Sequence, residues 1–200
     1  PESGRRHPPR EKSFPQIHPE MKPASLCLRK ITEKELSVSL FASFNRYQEV
    51  TRCRRKEDGK WILRDIAFTE QWDDKDYAYL VKCLHNTLHQ GGAVCDAFAN
   101  GALIGFASVE NKPLGSSGQY LQLSSLHVSY GLRGMGIGRM LFAMAAEMAK
   151  ERGAKKLYIS ALSAEESQAF YRAAGCREAE EYDRTLHEKE PCDCQLEYLL

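Results

Sequence analysis

Three glycines and an arginine stand close together in Arg133-Gly-Met-Gly-Ile-Gly138, the segment of the chain best suited to chemistry. Because Gly134, Gly136 and Gly138 lack Cβ atoms, several backbone N–H groups can converge on one point. The pattern predicts that a helix begins here, so its free N–H groups and its positive dipole end face the same point. With Arg133 at its mouth, this loop is predicted to bind an anion, and the spacing suits a pyrophosphate.

Two common nucleotide-binding patterns do not fit this loop. A dinucleotide fingerprint requires Gly-x-Gly-x-x-Gly, and counting from Gly134 or Gly136 never puts the third glycine in register. The next predicted strand, Lys155–Ser160, ends without the acidic residue that would bind a ribose hydroxyl. A Walker loop would need Gly-Lys-Ser/Thr, which the sequence lacks. From the glycines alone, a turn that merely caps an ordinary helix remains an alternative.

The pattern Arg-x-x-Gly-x-Gly resembles the pyrophosphate-binding motif of the GNAT superfamily of N-acetyltransferases. A second segment, Ser167–Cys176, resembles a later helix of the same family, in which an aromatic pair is followed by glycine. Here Phe170, Tyr171 and Gly175 match that pattern. The two motifs together identify the chain as similar to GNAT enzymes, most specifically over residues 92–180.

Two positions depart from the family pattern. Cys176 replaces the aromatic residue that usually follows the glycine, and Ala164 replaces an asparagine that usually hydrogen-bonds the cofactor. Ser163 or Ser167 is the expected substitute for that asparagine. The departure puts one cofactor contact in doubt and leaves the two motifs intact.

The resemblance implies an α+β fold, with a mixed, mostly antiparallel central sheet of about seven strands, helices on both faces and a bulged fourth strand. The sequence itself shows the bulge. Leu121 and Leu123 are apolar on one parity of the strand, whereas Leu126 and Val128 are apolar on the other. An extra residue near Ser124-Ser125 accounts for the phase change. In the family, this bulge separates two strands and opens a slot for the pantetheine arm.

The resemblance implies acetyl-CoA as the co-substrate, without a metal. Strand amides at residues 126–128 are predicted to hold the pantetheine and polarise the thioester carbonyl. The His127 side chain has the opposite parity to its neighbours and is predicted to pack against a helix. The predicted cofactor-binding residues are Leu126, His127, Val128, Arg133, Gly134, Met135, Gly136, Ile137, Gly138, Arg139 and Ser167.

Catalytic and acceptor-binding roles are predicted for a second set of residues. Tyr171 matches the tyrosine that would protonate the coenzyme A thiolate; the alternative is a core aromatic whose hydroxyl has a backbone partner. Glu110, at the end of a strand bordering the cleft, is the first candidate for the base, acting directly or through water. Glu49 is the second. The residues predicted to position the substrate are Gln122, Ser124 and Glu49.

Turn signals predict the elements around these motifs. Asp58-Gly59 predicts a hairpin over residues 47–68, a variable insertion on the acceptor side, and Asn100-Gly101 predicts a second hairpin. The chain is predicted to end in two strands, at about residues 176–183 and 192–199. Residues 21–200 form the expected N-acetyltransferase domain. Residues 1–20, rich in proline and poor in apolar residues, are predicted to be a disordered tail or an expression remnant.

Composition narrows the classes of partner. A formal net charge of +1 gives no reason to expect nucleic acid, and no apolar run approaches the length of a membrane span. Seven scattered cysteines, most of them in apolar surroundings, favour a cytoplasmic protein with reduced thiols. The expected state of the chain is a monomer or a homodimer. His85 and His89 share a helix face but lack a third ligand, so a solvated face is preferred to a metal site.

The function predicted from the sequence is transfer of an acetyl group from acetyl-CoA to the primary amine of a small molecule, by direct attack in a ternary complex. An antibiotic, a polyamine, an amino acid or an arylamine are the classes considered. One alternative is acetylation of a protein or peptide. A second is a non-catalytic acyl-CoA-binding sensor.

Overall fold

The structure, a computed structural model, describes residues 26–200, so the predicted tail lies outside the described residues. The strands are β1 (Leu26–Lys30), β2 (Tyr47–Glu57), β3 (Lys60–Gln71), β4 (Ala93–Ala99), β5 (Ala102–Val109), β6 (Tyr120–Val128), β7 (Lys156–Ala161), β8 (Arg177–Glu178) and β9 (Cys194–Leu199). The helices are α1 (Asp74–His89), α2 (Ile137–Glu151), α3 (Glu165–Ala173) and α4 (Arg184–Lys189).

Seven strands form one sheet in the order β1-β4-β5-β6-β7-β9-β8. Every neighbouring pair is antiparallel except β6 and β7, which are parallel. The α2 helix packs on one face over a core that includes Leu141, Ala145 and Leu157, and α1 packs on the other with Leu84 and Phe106. The predicted fold class, a mixed sheet with helices on both faces, is confirmed.

Both predicted hairpins are present, and in each the backbone conformation explains the turn residues. Asp58 and Gly59 have φ values of 48° and 77°, and Asn100 and Gly101 have values of 51° and 79°. Two successive positive φ angles define the tight turn that matches the twist of antiparallel strands. β2 and β3 form a two-stranded ribbon separate from the main sheet, at the position of the predicted insertion.

The predicted bulge is confirmed in β6, the fourth strand of the sheet counted from β1. Ser108 of β5 is opposite Ser125, but the next residue, Val109, is opposite Leu123, so Ser124 is the extra residue. Beyond the bulge β6 leaves its other neighbour, because its pairing with β7 covers only Tyr120–Gln122. The two parallel strands therefore diverge, which opens the sheet along the second half of β6.

The C-terminal region differs from the prediction. The expected strand at residues 176–183 is reduced to the two residues of β8, and α4 intervenes before β9. The Asp183 side chain accepts a hydrogen bond from the backbone N–H of Leu186 at 2.9 Å, which caps the start of α4. The predicted strand was too long, because only Arg177 and Glu178 pair with β9, and Asp183, which was placed in that strand, instead caps α4. No helix within residues 26–200 is long and apolar enough to cross a membrane.

Candidate active site

A cavity of about 610 Å³ lies where β6 diverges from β7. Its wall combines the end of β6, the loop that leads into α2, one face of α3 and the start of β2. The lining residues are Arg46, Gln48, Leu126, His127, Val128, Arg133, Gly134, Gly136, Gly138, Arg139, Glu166, Ser167, Phe170 and Tyr171. This wall brings together all the predicted cofactor-binding residues except Met135, which is exposed, and Ile137, which is buried in the core beneath α2.

The glycines of the loop are required for two different reasons. Gly134 and Gly136 have φ values of 79° and 84°, a conformation that other residues rarely adopt, and Gly136 caps the start of α2. Gly138 has an ordinary helical conformation, but a Cβ added there would lie 3.2 Å from the Phe170 ring. The backbone N–H groups at the start of α2 thus face the cavity without side chains over them.

Backbone groups of β6 also face the cavity. The N–H of Ser129 bonds to the carbonyl of Ile104 in the direction of β5, at 2.9 Å. Because N–H directions alternate along an antiparallel strand, the amide of His127 faces β5 as well, and those of Leu126 and Val128 face the gap left by β7. Of the three amides predicted to contact pantetheine, two are therefore available to a ligand in the gap.

Arg133 is fixed at the mouth of this gap by two backbone carbonyls. Its Nε donates to the carbonyl of Val128 at 3.2 Å, and its Nη2 donates to the carbonyl of Tyr47 at 2.6 Å. Burial lowers the pKa of the guanidinium, and the charge of the nearby Arg46 lowers it further. The loop of residues 133–138 is called the phosphate loop after its predicted ligand. Arg133 thus joins this loop to the start of the ribbon in addition to facing the cavity.

The His127 side chain lies on the α1 side of the sheet. Its ring centroid is 5.0 Å from that of Trp72, just before α1, and 5.2 Å from that of Phe106 on β5. Burial lowers the pKa of His127 to about 3, and the positive charges of Arg46 and Arg133 contribute to the shift. The imidazole is therefore neutral near pH 7.

Tyr171 presents an unbonded hydroxyl to the cavity. Its ring packs against Phe142 and Phe170, with centroids 6.2 Å and 5.1 Å away. Burial raises the pKa of the hydroxyl, with smaller contributions from Cys176 and Asp193, so the group stays protonated at neutral pH. No hydrogen bond to this hydroxyl is made by any residue between 26 and 200. A core tyrosine with a backbone partner, the alternative interpretation, would not have this geometry.

Family membership follows from a match to the sequence. A model of the acetyltransferase (GNAT) family matches residues 57–176. The chain belongs to the GNAT acetyltransferase family. As a member of this family it is an N-acetyltransferase. A search of curated protein sequences finds no significant match.

Solved structures of GNAT enzymes share this fold. A putative streptothricin acetyltransferase from Bacillus anthracis, in complex with acetyl coenzyme A, has a TM-score of 0.65 at 14% identity and covers 89% of this chain and 98% of its own. Nourseothricin acetyltransferase has a TM-score of 0.60 at 19% identity, covering 86% and 95%. The PaiA N-acetyltransferase from Thermoplasma acidophilum, in complex with coenzyme A, has a TM-score of 0.53 at 14% identity, covering 88% and 99%. At these identities, the likeness shows the fold alone.

The residues present fit acetyl-CoA. Gly134, Gly136 and the start of α2 form a loop of the kind that binds anions, and the free edge of β6 offers N–H groups beside it.

At the start of α3, Ala164 is fully buried against Cys53 of the ribbon, and Ser163 accepts a hydrogen bond from Arg55 at 2.6 Å. Of the two serines predicted to replace the family's asparagine, Ser167 lies in the cavity wall.

The predicted acceptor residues form two separate groups. Glu110 accepts hydrogen bonds from the hydroxyls of Thr87 at 2.8 Å and Ser124 at 2.6 Å, and its backbone N–H donates to Gln122 at 2.9 Å. This cluster at the bulge lies outside the cavity wall. Glu49 is on the exposed side of β2, and its neighbour Gln48 faces the cavity because side chains alternate along a strand.

Several lining residues were not predicted from the sequence. Phe170 belongs to the aromatic pair of the recognised motif, which was the signal in the sequence that could have identified it. Glu166 lies one helical turn before it on α3. Arg46 lies just before β2 and Gln48 lies at its start, where no motif singles them out.

Proposed function

We propose that this enzyme transfers the acetyl group of acetyl-CoA to the primary amine of a small molecule, in a ternary complex and without a covalent acetyl-enzyme. The observation that carries the proposal is the composition of one cavity wall. The anion-binding loop, the free amides of Leu126 and Val128 and the unbonded hydroxyl of Tyr171 share it with side chains from the start of the ribbon. The donor and an amine would therefore meet in one confined space.

Contacts between the ribbon and α3 favour a small acceptor over a protein. Arg52 pairs with Glu165 at 2.8 Å, and the backbone N–H of Arg54 bonds to the carbonyl of Ser163 at 2.8 Å. Cys53 is fully buried in the same junction. These contacts close one side of the cavity, whereas an acetyltransferase for peptides would need an open groove in which an extended chain could lie.

The proposed roles follow from the positions of the groups. The Leu126 and Val128 amides would stabilise charge on the carbonyl oxygen in the transition state, an effect of about 3 kcal/mol per donor in comparable sites. Tyr171 would give its proton to the departing thiolate as the new C–N bond forms and the C–S bond breaks. The hydroxyl is protonated at neutral pH and lies in the same cavity wall as the proposed donor groups.

Glu110 is proposed as the base, acting through a water molecule. Its Oε1 accepts both hydroxyl hydrogen bonds, from Thr87 and Ser124, which fix the carboxylate at the bulge. A water bridge is needed because the carboxylate does not itself line the cavity. The Ser124 hydroxyl donates to this carboxylate, and the Gln122 carbonyl accepts from the Glu110 backbone N–H. Both residues are proposed to position the acceptor.

A screen of primary amines tests the proposed function. Antibiotics, polyamines, amino acids and arylamines are incubated with acetyl-CoA, release of free thiol is followed, and the product is identified by mass spectrometry. We expect an N-acetylated small molecule. Acetylation of protein or peptide substrates alone would support the alternative acceptor class, and thiol release without any acetylated amine would contradict the proposal.

A further inference from the structure

The structure holds one cationic side chain in a position that the acetyl-transfer chemistry does not explain. Arg46 is 6% exposed and lies in the cavity wall just before β2. Its Nη2 donates to Glu70 at 2.7 Å, whereas Nε and Nη1 are buried with no hydrogen-bond partner in the described chain. A buried charged group with unmade hydrogen bonds is costly, so its presence beside a cavity points to a ligand.

The surroundings of Arg46 hold the guanidinium in place. Its backbone N–H donates to the Tyr77 hydroxyl at 3.1 Å, and that hydroxyl donates to the carbonyl of Phe44 at 2.8 Å. The guanidinium carbon lies 5.5 Å from the centre of the Trp72 ring. With the backbone bonded, one nitrogen paired and one face covered, the remaining nitrogens have a fixed position, as expected of a binding residue.

The charge of this region favours an anion. Arg46 and Arg133 both act on His127, which stays neutral and adds no positive or negative charge of its own. Glu70 pairs with Arg46 through Nη2 alone, at 2.7 Å, and no carboxylate of the described residues forms an ion pair with Arg133. The acidic side chain in the cavity lining, Glu166, is exposed on α3. A cationic group of a substrate would be repelled at Arg46, whereas a carboxylate would be attracted.

The position of Arg46 favours the acceptor over the donor as the source of this anion. Arg46, Trp72 and His127 lie on the α1 side of the sheet, and His127 contacts Phe106 of the α1-side core. Leu126 and Val128 pack against the core beneath α2, whose N-terminus supplies the phosphate loop. Arg46 therefore faces the cavity from the α1 side of the sheet, whereas α2 begins on the other side, and Arg133 reaches across to the carbonyl of Tyr47 beside Arg46.

We infer that Arg46 binds a carboxylate on the acceptor, so that the amine substrate is an amino acid or another small amine carrying a carboxylate. The inference rests on the proposed function, since it names the class of amine. It also disfavours polyamines and other polycationic acceptors. Arg46 would fix the acid end of the acceptor and leave the amine free to reach the thioester.

Matched acceptors test the inference. Free amino acids and their carboxamides differ in charge at one group only, and kcat/KM is measured for both with the unmodified enzyme, Arg46→Gln and Arg46→Lys. We expect the unmodified enzyme to prefer the acid by about tenfold or more, Arg46→Gln to lose that preference through a higher KM, and Arg46→Lys to keep part of it. Glu70→Gln, which frees Arg46 from its partner, should keep or increase the preference.

Calorimetry with coenzyme A separates the donor from the acceptor. We expect its Kd in Arg46→Gln and Arg46→Lys to stay within about twofold of the unmodified value, with thermal melting to verify folding. A weaker coenzyme A affinity with an unchanged acid-to-amide ratio would assign Arg46 to the donor phosphates and overturn the inference. Equal rates with acids and amides in the unmodified enzyme would also overturn it. The absence of any acetylated amine would instead count against the proposed function.

Discussion

The two ends of the cavity are built in different ways. At the end proposed for the donor, the groups facing the cavity are mostly backbone N–H groups, in the loop of residues 133–138 and on the free edge of β6, so glycine and strand geometry determine this end. At the end proposed for the acceptor, the groups are side chains, Arg46 just before the ribbon and Gln48 at the start of β2. Backbone recognition constrains the sequence to a recognisable pattern, whereas side-chain recognition on a variable insertion does not.

The largest expected effect comes from breaking the backbone of the donor end. In Gly136→Val, a β-branched residue must adopt the φ of 84° required at the start of α2, at a cost of roughly 1–2 kcal/mol or more. The loop is expected to rearrange, and acetyl-CoA binding should fall below detection in calorimetry.

The same substitution at the other end of α2 is the control. Gly153 has a φ of 83° and, like Gly136, no atom within 4 Å of an added Cβ. Gly153→Val should therefore cost similar stability and leave the Kd of coenzyme A unchanged. Equal coenzyme A affinity in both variants would refute the assignment of the loop. Gly138→Val is a poorer test because its side chain also meets Phe170.

The next largest effect is expected at Tyr171, which lies between the two ends. Tyr171→Phe removes one hydroxyl and keeps the packing against Phe142 and Phe170. With chemistry limiting the rate, kcat should fall by about 10²–10⁴ while the Kd of acetyl-CoA barely changes. Tyr198→Phe is the matched control, because the Tyr198 ring also packs against Phe142, with centroids 5.0 Å apart. An unchanged kcat in Tyr171→Phe, under the same conditions, would remove this tyrosine from the mechanism.

The features that could be predicted from the sequence follow the same division between backbone groups and side chains. The bulge was predictable because the phase of Leu121 and Leu123 conflicts with that of Leu126, and a sheet cannot tolerate the conflict without an extra residue. The loop was predictable because a positive φ restricts the choice to glycine. Arg46 was not predictable, since its burial depends on Trp72 and Tyr77, which come from distant parts of the chain. The helix α4 lies between the two predicted strands, where no element was predicted, and the overlooked signal was its capping residue, Asp183.

A moderate effect is expected at Arg133, the residue that joins the two ends. Arg133→Ala should weaken acetyl-CoA binding by about 1.5–3 kcal/mol, the size of a charge-assisted hydrogen bond. It should also lower the melting temperature, because the carbonyls of Val128 and Tyr47 lose their donor. Arg184→Ala, which removes an exposed arginine paired with Glu188, is the control. Lower stability with unchanged coenzyme A affinity would show that Arg133 is a structural residue only.

The smallest expected effect tests the electrostatics of the acceptor end. The pKa of His127 falls from 6.5 to about 3 on folding, so the folded protein holds the neutral imidazole and the unfolded chain takes up a proton below pH 6.5. The stability contributed by the neutral form is complete above pH 6.5 and is lost as the pH falls toward 3. Between pH 7.5 and pH 5 this loss amounts to at most about 2 kcal/mol. His127→Phe keeps a ring against Trp72 and Phe106 and should lose less of its free energy of unfolding over that interval, measured by urea denaturation.

His187→Gln, at an exposed position on α4, is the control. An equal loss in the unmodified protein and in His127→Phe would mean that the folded protein does not hold the His127 imidazole neutral beside Arg46 and Arg133.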